Sequence, residues 1–344
     1  MDRGAAAKLR VLEHMLLDTN AEPTDLPLSL LEHITNDFSD EQRIGRGGFS
    51  VVYKGVLGNG RTVAVKKLNE TLDLLEKKFN EEVGCLMKTK HENIVRFLGY
   101  CSDTRGLIVD YEGKFVMADV RQRLLCFEYL PQGNLDKFIS GASCILEWRK
   151  LYQIIKGICK GLYHLHVKRR IVHLDLKPAN ILLDGDMVPK IADFGLSRCF
   201  DEKQSRAFTS NINGTLGYMA SEFFSGEITF KADIYSLGVI IGELLTGEKG
   251  YHDIENVLDI WGKRLQKAQE DVHLEQIITC AKIGIECTEN NPAKRPDIQN
   301  IIDRLDEDSR MDQFINTNMG GTSIWQVKKD SSNLHQCAPN KRTC

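Results

Sequence analysis

The 344-residue chain has no basic surplus, no paired cysteine motif and no long apolar run, and each absence closes off a class of function. Lysine and arginine number 45 against 48 aspartate and glutamate, a formal net charge of -3. A general nucleic-acid or anionic-membrane binder would carry the opposite balance. The ten cysteines fall at irregular intervals, without a C-x-x-C pair or a Cys/His cluster at zinc spacing. They read as reduced, mostly buried thiols of a cytosolic protein. A signal peptide is missing as well, because "MDRGAAAKLRVLEHMLL" is interrupted by Glu13 and His14. Asp2 excludes N-myristoylation, and Cys344 stands too late for a C-a-a-X prenylation site. The longest apolar run, "IYSLGVIIGELL" (234–245), is too short to span a bilayer and suits a buried core helix. The expected location is cytoplasmic with no membrane span in this chain, and recruitment to the plasma membrane by a partner receptor stays open.

A hydrophobic content of 42% with 27% charge suits a globular protein, and the length fits one large two-lobed domain or two ordinary ones. Residues 5–18 place Leu9, Leu12, Met15 and Leu16 on one helical face, and "NAEPTDLP" then breaks the period and reads as a linker. From about Ile34 to Tyr129 the chain favours strands, including "VVYKGVL" and "TVAVKKL" around a "GNG" turn. One helix, "LDLLEKKFNEEVGCLMKT", interrupts them. From Leu135 to about Leu305 the period is helical, broken by short strand-like pieces at 171–172, 181–183 and 188–191. The segment "SDTRGLIVDYEGKFVMADVRQR" suggests two strands with an extended connection and carries no evident chemistry. The tail from Ser309 has no period and is expected to be disordered. The division is thus an extension and linker over 1–37, a domain over 38–308 split at residue 130, and a tail over 309–344.

In "IGRGGFSVVYKG" (44–55), Gly45 and Gly47 lie between two strands, where the lack of a Cβ lets backbone N–H groups approach phosphate oxygens. Ser50 stands where the usual G-x-G-x-x-G pattern has its third glycine, and taken alone the segment also suits a hairpin turn. The next strand adds a reason to prefer phosphate. In "VAVKK", alternation puts Val63 and Val65 on one face and Ala64 and Lys66 on the other. Ala64 leaves room for a flat ring, Lys66 projects toward the phosphates, and Lys67 reads as solvated. A lysine so placed needs a carboxylate to direct it. Phe79, Val83, Leu86 and Met87 mark the inward stripe of the following helix, and Glu82 borders that stripe, with Glu81 as the alternative.

Downstream, "HLDLKPANILL" carries Asp175, Lys177 and Asn180, and "IADFGLSR" delivers Asp193 to a turn made by Gly195. The carboxylate of Asp193 and the amide oxygen of Asn180 suit Mg²⁺, a hard cation. Asp175 is left to orient an attacking hydroxyl and accept its proton, and Lys177 to neutralise a migrating phosphoryl group. His173 reads as a residue packed under Phe194.

With these residues in place, the sequence from about Phe38 to Leu305 resembles a eukaryotic protein kinase. Within that superfamily it is similar to plant receptor-like kinases, relatives of the Pelle and interleukin-receptor-associated kinases. The narrower likeness rests on "HENIVRFLGYC", "LLCFEYLPQGNLDKFI", "GICKGLYHLH", "LDLKPANILLD", "GTLGYMASE" and "CTENNPAKRPDI". Choline and aminoglycoside kinases, which share His-x-Asp and a later Asn, lack "GTLGY" and "KADIYSLG".

The resemblance implies an α+β bilobal fold, with a small β-rich N-lobe holding one key helix and a larger α-helical C-lobe. It implies ATP and Mg²⁺ as cofactors and protein Ser/Thr hydroxyls as substrates, Lys177 matching the serine/threonine class. Catalytic roles fall to Asp175, Lys177, Lys66 and Glu82. Nucleotide contacts fall to Ile44, Gly45, Arg46, Gly47, Gly48, Phe49, Ser50, Val52, Ala64, Lys66, Phe127 at the back of the adenine pocket, Glu128 to Leu130 at the hinge, Asn180 and Asp193. Asn180 and Asp193 are the implied metal ligands. Asp233 would anchor the catalytic loop backbone, and Glu222 would pair with Arg295.

Three departures stand out. Ser50 for glycine is small enough for phosphate approach, with weaker ATP binding expected. "ASE" for Ala-Pro-Glu keeps Glu222 and loosens a turn. Leu174 replaces the arginine that, in many kinases, is neutralised by a phosphorylated activation-loop residue. The expectation is an active enzyme that depends little on loop phosphorylation at Thr209 or Ser210, with Thr215 in a structural role near Asp175. Two other readings are a scaffold that binds nucleotide without turnover and the detached intracellular part of a receptor. The presence of Lys66, Glu82, Asp175, Asn180 and Asp193 together favours the enzyme over the scaffold.

Overall fold

The computed structural model describes residues 3–69, 74–139, 146–248, 253–265 and 270–318. Its first part is built on a six-stranded sheet in the order β1-β5-β6-β4-β3-β2. The strands are β1 (Thr24–Asp25), β2 (Arg43–Arg46), β3 (Ser50–Val56), β4 (Thr62–Leu68), β5 (Phe97–Tyr111) and β6 (Lys114–Glu128). All neighbours are antiparallel except β1, which adds a parallel edge beside β5. Alternation along β4 does what its sequence requires: Val63 and Val65 are fully buried on one face, while Ala64 packs against the core on the other.

The face of Val63 and Val65 is covered from within the first 37 residues. Helices α1 (Arg3–Met15) and α2 (Leu28–Ile34) lay Leu12, Met15, Leu30, Leu31 and Ile34 onto it. Each such side chain contributes about 1.5–3 kcal/mol on burial. The "NAEPTDLP" stretch, expected as a linker, carries β1, and a Cβ on Gly99 would meet the Thr24 carbonyl oxygen at 2.2 Å. That close approach is what lets the extension dock as an edge strand.

Helix α3 (Leu74–Leu86) crosses the sheet's other face with Phe79, Glu82, Cys85 and Leu86 turned inward. Met87, expected in this stripe, is 46% exposed: its amide still donates to the Val83 carbonyl at 2.8 Å, but the buried face runs through Phe79, Glu82 and Leu86, and the Val83–Met87 row lies to its side. The supposed extended connection between β5 and β6 is instead a tight turn at Glu112 and Gly113, with φ of 52° and 76°. Two left-handed residues in sequence match the twist of the flanking strands, so each strand runs uninterrupted for 15 residues.

The second part is helical. It contains α4 (Asp136–Ile139), α5 (Trp148–Tyr163), α6 (Phe230–Thr246), α7 (Ile254–Arg264), α8 (Glu270–Cys287) and α9 (Ile298–Asn318). Helix α6, the apolar run of the sequence, is the central one, with Ile234, Leu237, Ile240 and Ile241 buried. Gly238 lets α8 come close: a Cβ there would meet the Cys287 Cβ at 2.6 Å and the Gly284 carbonyl oxygen at 2.8 Å. Helix α9 continues ten residues past the expected start of the tail at Ser309, and residues 319–344 lie outside the described residues. The short strands β7 (Gly133–Asn134), β8 (Ile171–Val172), β9 (Ile181–Leu183), β10 (Pro189–Ile191), β11 (Arg198–Cys199), β12 (Arg206–Phe208) and β13 (Glu227–Thr229) pair among themselves and brace the loops of this second part. No helix among the described residues is long and apolar enough to cross a membrane.

Candidate active site

Lys66 leaves β4 toward the sheet's inner face and meets two carboxylates. Its ammonium donates to Glu82 Oε1 at 2.7 Å and to Asp193 Oδ1 at 2.8 Å. Glu82 comes from α3 and Asp193 from the turn after β10, so three separate elements converge here. Burial alone would disfavour the ammonium, but Glu82 and then Asp193 outweigh it and hold the Lys66 pKa above its ordinary value. Burial pushes the Glu82 carboxyl up, with Lys66 pulling the other way. Asp193 is held at about 2, chiefly by the Lys66 charge.

Glu81, the alternative partner, points elsewhere and accepts from Arg198 Nη1 at 3.0 Å. Lys67, on the opposite face of β4, sits 4.4 Å over the Phe38 ring. Gly195 stands beside the cluster, where a Cβ would lie in ordinary contact, 3.4 to 3.7 Å, with Asp193 Oδ1, Glu82 Oε2 and Lys66 Nζ.

A second cluster lies on the loop between β8 and β9. Asp175 Oδ1 accepts from the Thr215 hydroxyl at 2.7 Å, and its Oδ2 accepts from Lys177 Nζ at 2.7 Å and Asn180 Nδ2 at 2.9 Å. Lys177 also donates to Thr215 Oγ1 at 2.7 Å. Asn180 thus spends its amide nitrogen on Asp175, leaving its amide oxygen as acceptor.

Backbone bonds join the two clusters. The Ala192 amide donates to the Asn180 carbonyl oxygen at 2.8 Å. The Ala192 carbonyl lies 3.0 Å from His173 Nε2, while His173 Nδ1 accepts from the Asp175 amide at 3.3 Å. Those two contacts are mutually consistent with an Nε2–H tautomer. His173 is fully buried edge-on to Phe194, with ring centroids 5.2 Å apart, so its role is packing and loop geometry.

The loop is pinned from below by Asp233 of α6. Its Oδ2 accepts from the His173 amide at 2.7 Å and contacts His166 Nε2 at 2.8 Å, and its Oδ1 accepts from the Leu174 amide at 2.8 Å. Leu174 has φ of 68°, a left-handed conformation that costs a leucine about 1–2 kcal/mol. Its side chain enters a cluster with Val172, Phe200, Ala220, Phe223 and Ile228 and is 9% exposed. An arginine's place is therefore taken by packing. Glu222 and the buried Arg295 form a bidentate pair at 2.5 and 2.9 Å, the pair that the resemblance implied.

The glycine-rich segment folds as the β2–β3 hairpin, closed by the Gly47 amide on the Ser50 carbonyl at 2.8 Å. Arg46, Gly47, Gly48 and Phe49 are exposed in it, and Ser50 and Val52 are half-buried. Ile44 stands exposed just before, and Lys78 of α3 caps the Phe49 ring at 4.5 Å. Ala64 pairs with Phe127 across β4 and β6, and the Phe127 ring packs at a tilt of 50° against Phe97 with centroids 5.5 Å apart. The Glu128 amide is taken by the Arg96 carbonyl at 3.0 Å, so the hinge has the Glu128 carbonyl and the backbone of Leu130 to offer a ligand.

Among the described residues no cluster of three or more His, Cys, Asp or Glu would hold a metal unaided. Two carboxylates around one ammonium nevertheless carry a net negative charge, and the Asp193 side chain keeps 47% of its surface open. With the Asn180 oxygen, this donor set fits a Mg²⁺ ion that brings phosphate and water oxygens of its own.

Comparison with known proteins identifies the family. Residues 38–305 match the family model described as the protein kinase domain. Cysteine-rich receptor-like protein kinase 10 of Arabidopsis thaliana is 36% identical over 304 residues, covering 83% of this chain and 43% of the relative. The G-type lectin S-receptor-like serine/threonine-protein kinase RKS1 of the same plant is 36% identical over 304 residues, covering 82% and 35%. Cysteine-rich receptor-like protein kinase 26 is 37% identical over 301 residues, covering 81% and 43%. The chain thus spans less than half the length of these relatives.

Proposed function

The chain belongs to the protein kinase family, and from that membership we propose that it transfers the γ-phosphate of ATP to serine and threonine hydroxyls of proteins in receptor-linked signalling. One arrangement carries the reading: a threonine hydroxyl rests on Asp175 Oδ1 at 2.7 Å, the position a substrate hydroxyl would take, with Lys177 on the other oxygen. The kinase domain is assigned to 38–308, divided at residue 130 into N-lobe and C-lobe.

In this reading the backbone amides of the β2–β3 turn cover the ATP phosphates, and Lys66, directed by Glu82, binds them. The adenine lies against Ala64 and Val52 with Phe127 behind it, hydrogen-bonded by the Glu128 carbonyl and the Leu130 amide. Asp193 and the Asn180 oxygen would hold Mg²⁺, which when bound neutralises phosphate charge and orients the transferred group. Asp175 orients the attacking hydroxyl and accepts its proton as oxygen bonds to the γ-phosphorus and ADP departs. Lys177 balances charge on the moving phosphoryl group.

The chain is placed on the cytoplasmic side, with a receptor or membrane-complex partner recruiting it. The relatives' receptor-like names and the buried thiols support that placement. Incubation with Mg²⁺ and ATP, native chain beside Asp175→Asn, tests the activity. Phosphate incorporation should fall about 100-fold or more in the variant, and phosphoamino-acid analysis should return phosphoserine and phosphothreonine. Equal incorporation would leave only a nucleotide-binding scaffold.

A further inference from the structure

Two cysteines far apart in sequence meet beside the Lys66 cluster. Cys85 lies on the inward face of α3, 2% exposed, and Cys199 is on β11. Their sulfurs are 2.7 Å apart across 114 residues of chain. Both carriers are fixed in place. One turn before Cys85, Glu81 binds Arg198, the neighbour of Cys199, at 3.0 Å. On the other side β11 pairs with β8, Cys199 opposite the fully buried Ile171. A disulfide needs the sulfurs at about 2.05 Å, a closure of well under one ångström from where they stand.

The two thiols are not equivalent. Among the described cysteines Cys199 alone is exposed. A hydrogen bond from Cys85 lowers the Cys199 thiol to about 7, helped by Lys88 and opposed by burial and Glu81. The same contact and burial push Cys85 up. Accessibility and thiolate character therefore coincide on Cys199, while Cys85 waits behind it as a buried thiol within reach.

We propose that Cys85 and Cys199 form a redox modification site, in which hydrogen peroxide oxidises Cys199 and Cys85 then closes an intrachain disulfide between α3 and the segment that follows Asp193. The Cys199 thiolate sulfur attacks one peroxide oxygen and the O–O bond breaks. The products are a sulfenic acid and a hydroxide that takes up a proton to become water. The Cys85 sulfur then attacks the Cys199 sulfur, the S–O bond breaks, and hydroxide leaves with the Cys85 proton as a second water. The two thiols lose two electrons, and the peroxide is reduced to two waters. Because Glu82 and Cys85 share one face of α3, the bond would hold the helix where Glu82 reaches Lys66.

The test uses the full chain, reduced, desalted, titrated with hydrogen peroxide, and then denatured and alkylated for peptide mass spectrometry without reductant. The expected product is a Cys85–Cys199 linked peptide that forms before other disulfides and disappears with dithiothreitol. Cys199→Ser, a change at an exposed position, should abolish that peptide while leaving the melting temperature of the reduced chain unchanged. Cys85→Ser should leave Cys199 as a sulfenic acid that dimedone traps. The inference fails if peroxide-treated native chain yields Cys199 as the dimedone adduct or a higher oxide while Cys85 is recovered alkylated. It fails equally if both thiols are recovered alkylated at peroxide levels that oxidise other cysteines.

Discussion

Asp175 and Leu174 are chain neighbours, yet three side-chain hydrogen bonds hold the first and an apolar cluster holds the second. The polar side works only while Lys177, Asn180 and Thr215 keep their places, and Thr215 belongs to a distant loop. The apolar side needs no charge. An arginine at position 174 would need an anion to satisfy it, and in many kinases a loop phosphate fills that need. Leu174 satisfies itself by burial. Its left-handed backbone strain is offset by the amide bond to Asp233 and by packing against Phe200 and Phe223. The segment that follows is held by backbone pairing of β12 with β13 and by the Thr209 amide on the Gly226 carbonyl at 2.9 Å. Nothing in that set of contacts waits for a phosphate.

Substitutions on either side should therefore have different consequences. The largest effect is expected from Asp175→Asn, a drop of about 10²–10⁴ in the transfer rate of the folded chain. Next comes the support shared by both neighbours. Asp233→Asn leaves the amides of His173 and Leu174 without their charged acceptor and should cost about 3–5 kcal/mol in urea unfolding.

The same carboxylate sets a pH limit. Burial works to raise the Asp233 carboxyl, but His166 and the His173 amide outweigh it and hold it below its ordinary value. A depressed carboxylate stabilises fully above its unfolded pKa and loses that contribution as pH falls through the folded one. Hydrogen-exchange protection of the His173 and Leu174 amides should thus persist through neutral pH and decline only below about pH 4.

Leu174→Ala removes apolar contacts at a nearly buried site and should cost about 2–3 kcal/mol, while the transfer rate of the folded fraction stays close to native. The smallest effect is expected from Thr209→Ala with Ser210→Ala. Both stability and rate should remain within a factor of about three, since the Thr209 hydroxyl bonds only within its own turn, to Asn211. A collapse of rate in that double variant would return the loop to phosphate control.

The polar site was legible because its chemistry dictates residue type and position together. Lys66 needed a strand facing the cleft, Glu82 a helix border, and Asp175, Asn180 and Asp193 turns after short strands. The structure brings them into two clusters joined through Ala192 and His173. Leu174 was legible only as a departure, since its packing depends on Phe200, Phe223 and Ile228, residues no local pattern links to it. The cover of α1 and α2 over Val63 and Val65 was hidden for the same reason: a helical period reveals an apolar face but not what it will rest on. The Cys85–Cys199 contact left no signal, because neither residue belongs to a motif and their separation is set by the whole fold. Met87 was misplaced because the stripe was drawn through Val83, which is only half-buried, instead of being centred on Phe79, Glu82 and Leu86.

The most direct measurement is the initial rate of phosphate transfer from ATP to a protein substrate by phosphatase-treated chain, native beside Asp175→Asn. Native chain stripped of loop phosphate should transfer at once, without a lag, and the variant should be slower by about 100-fold or more. Equal rates would contradict the assignment of Asp175. A lag that vanishes only after the loop is phosphorylated would contradict the role given to Leu174.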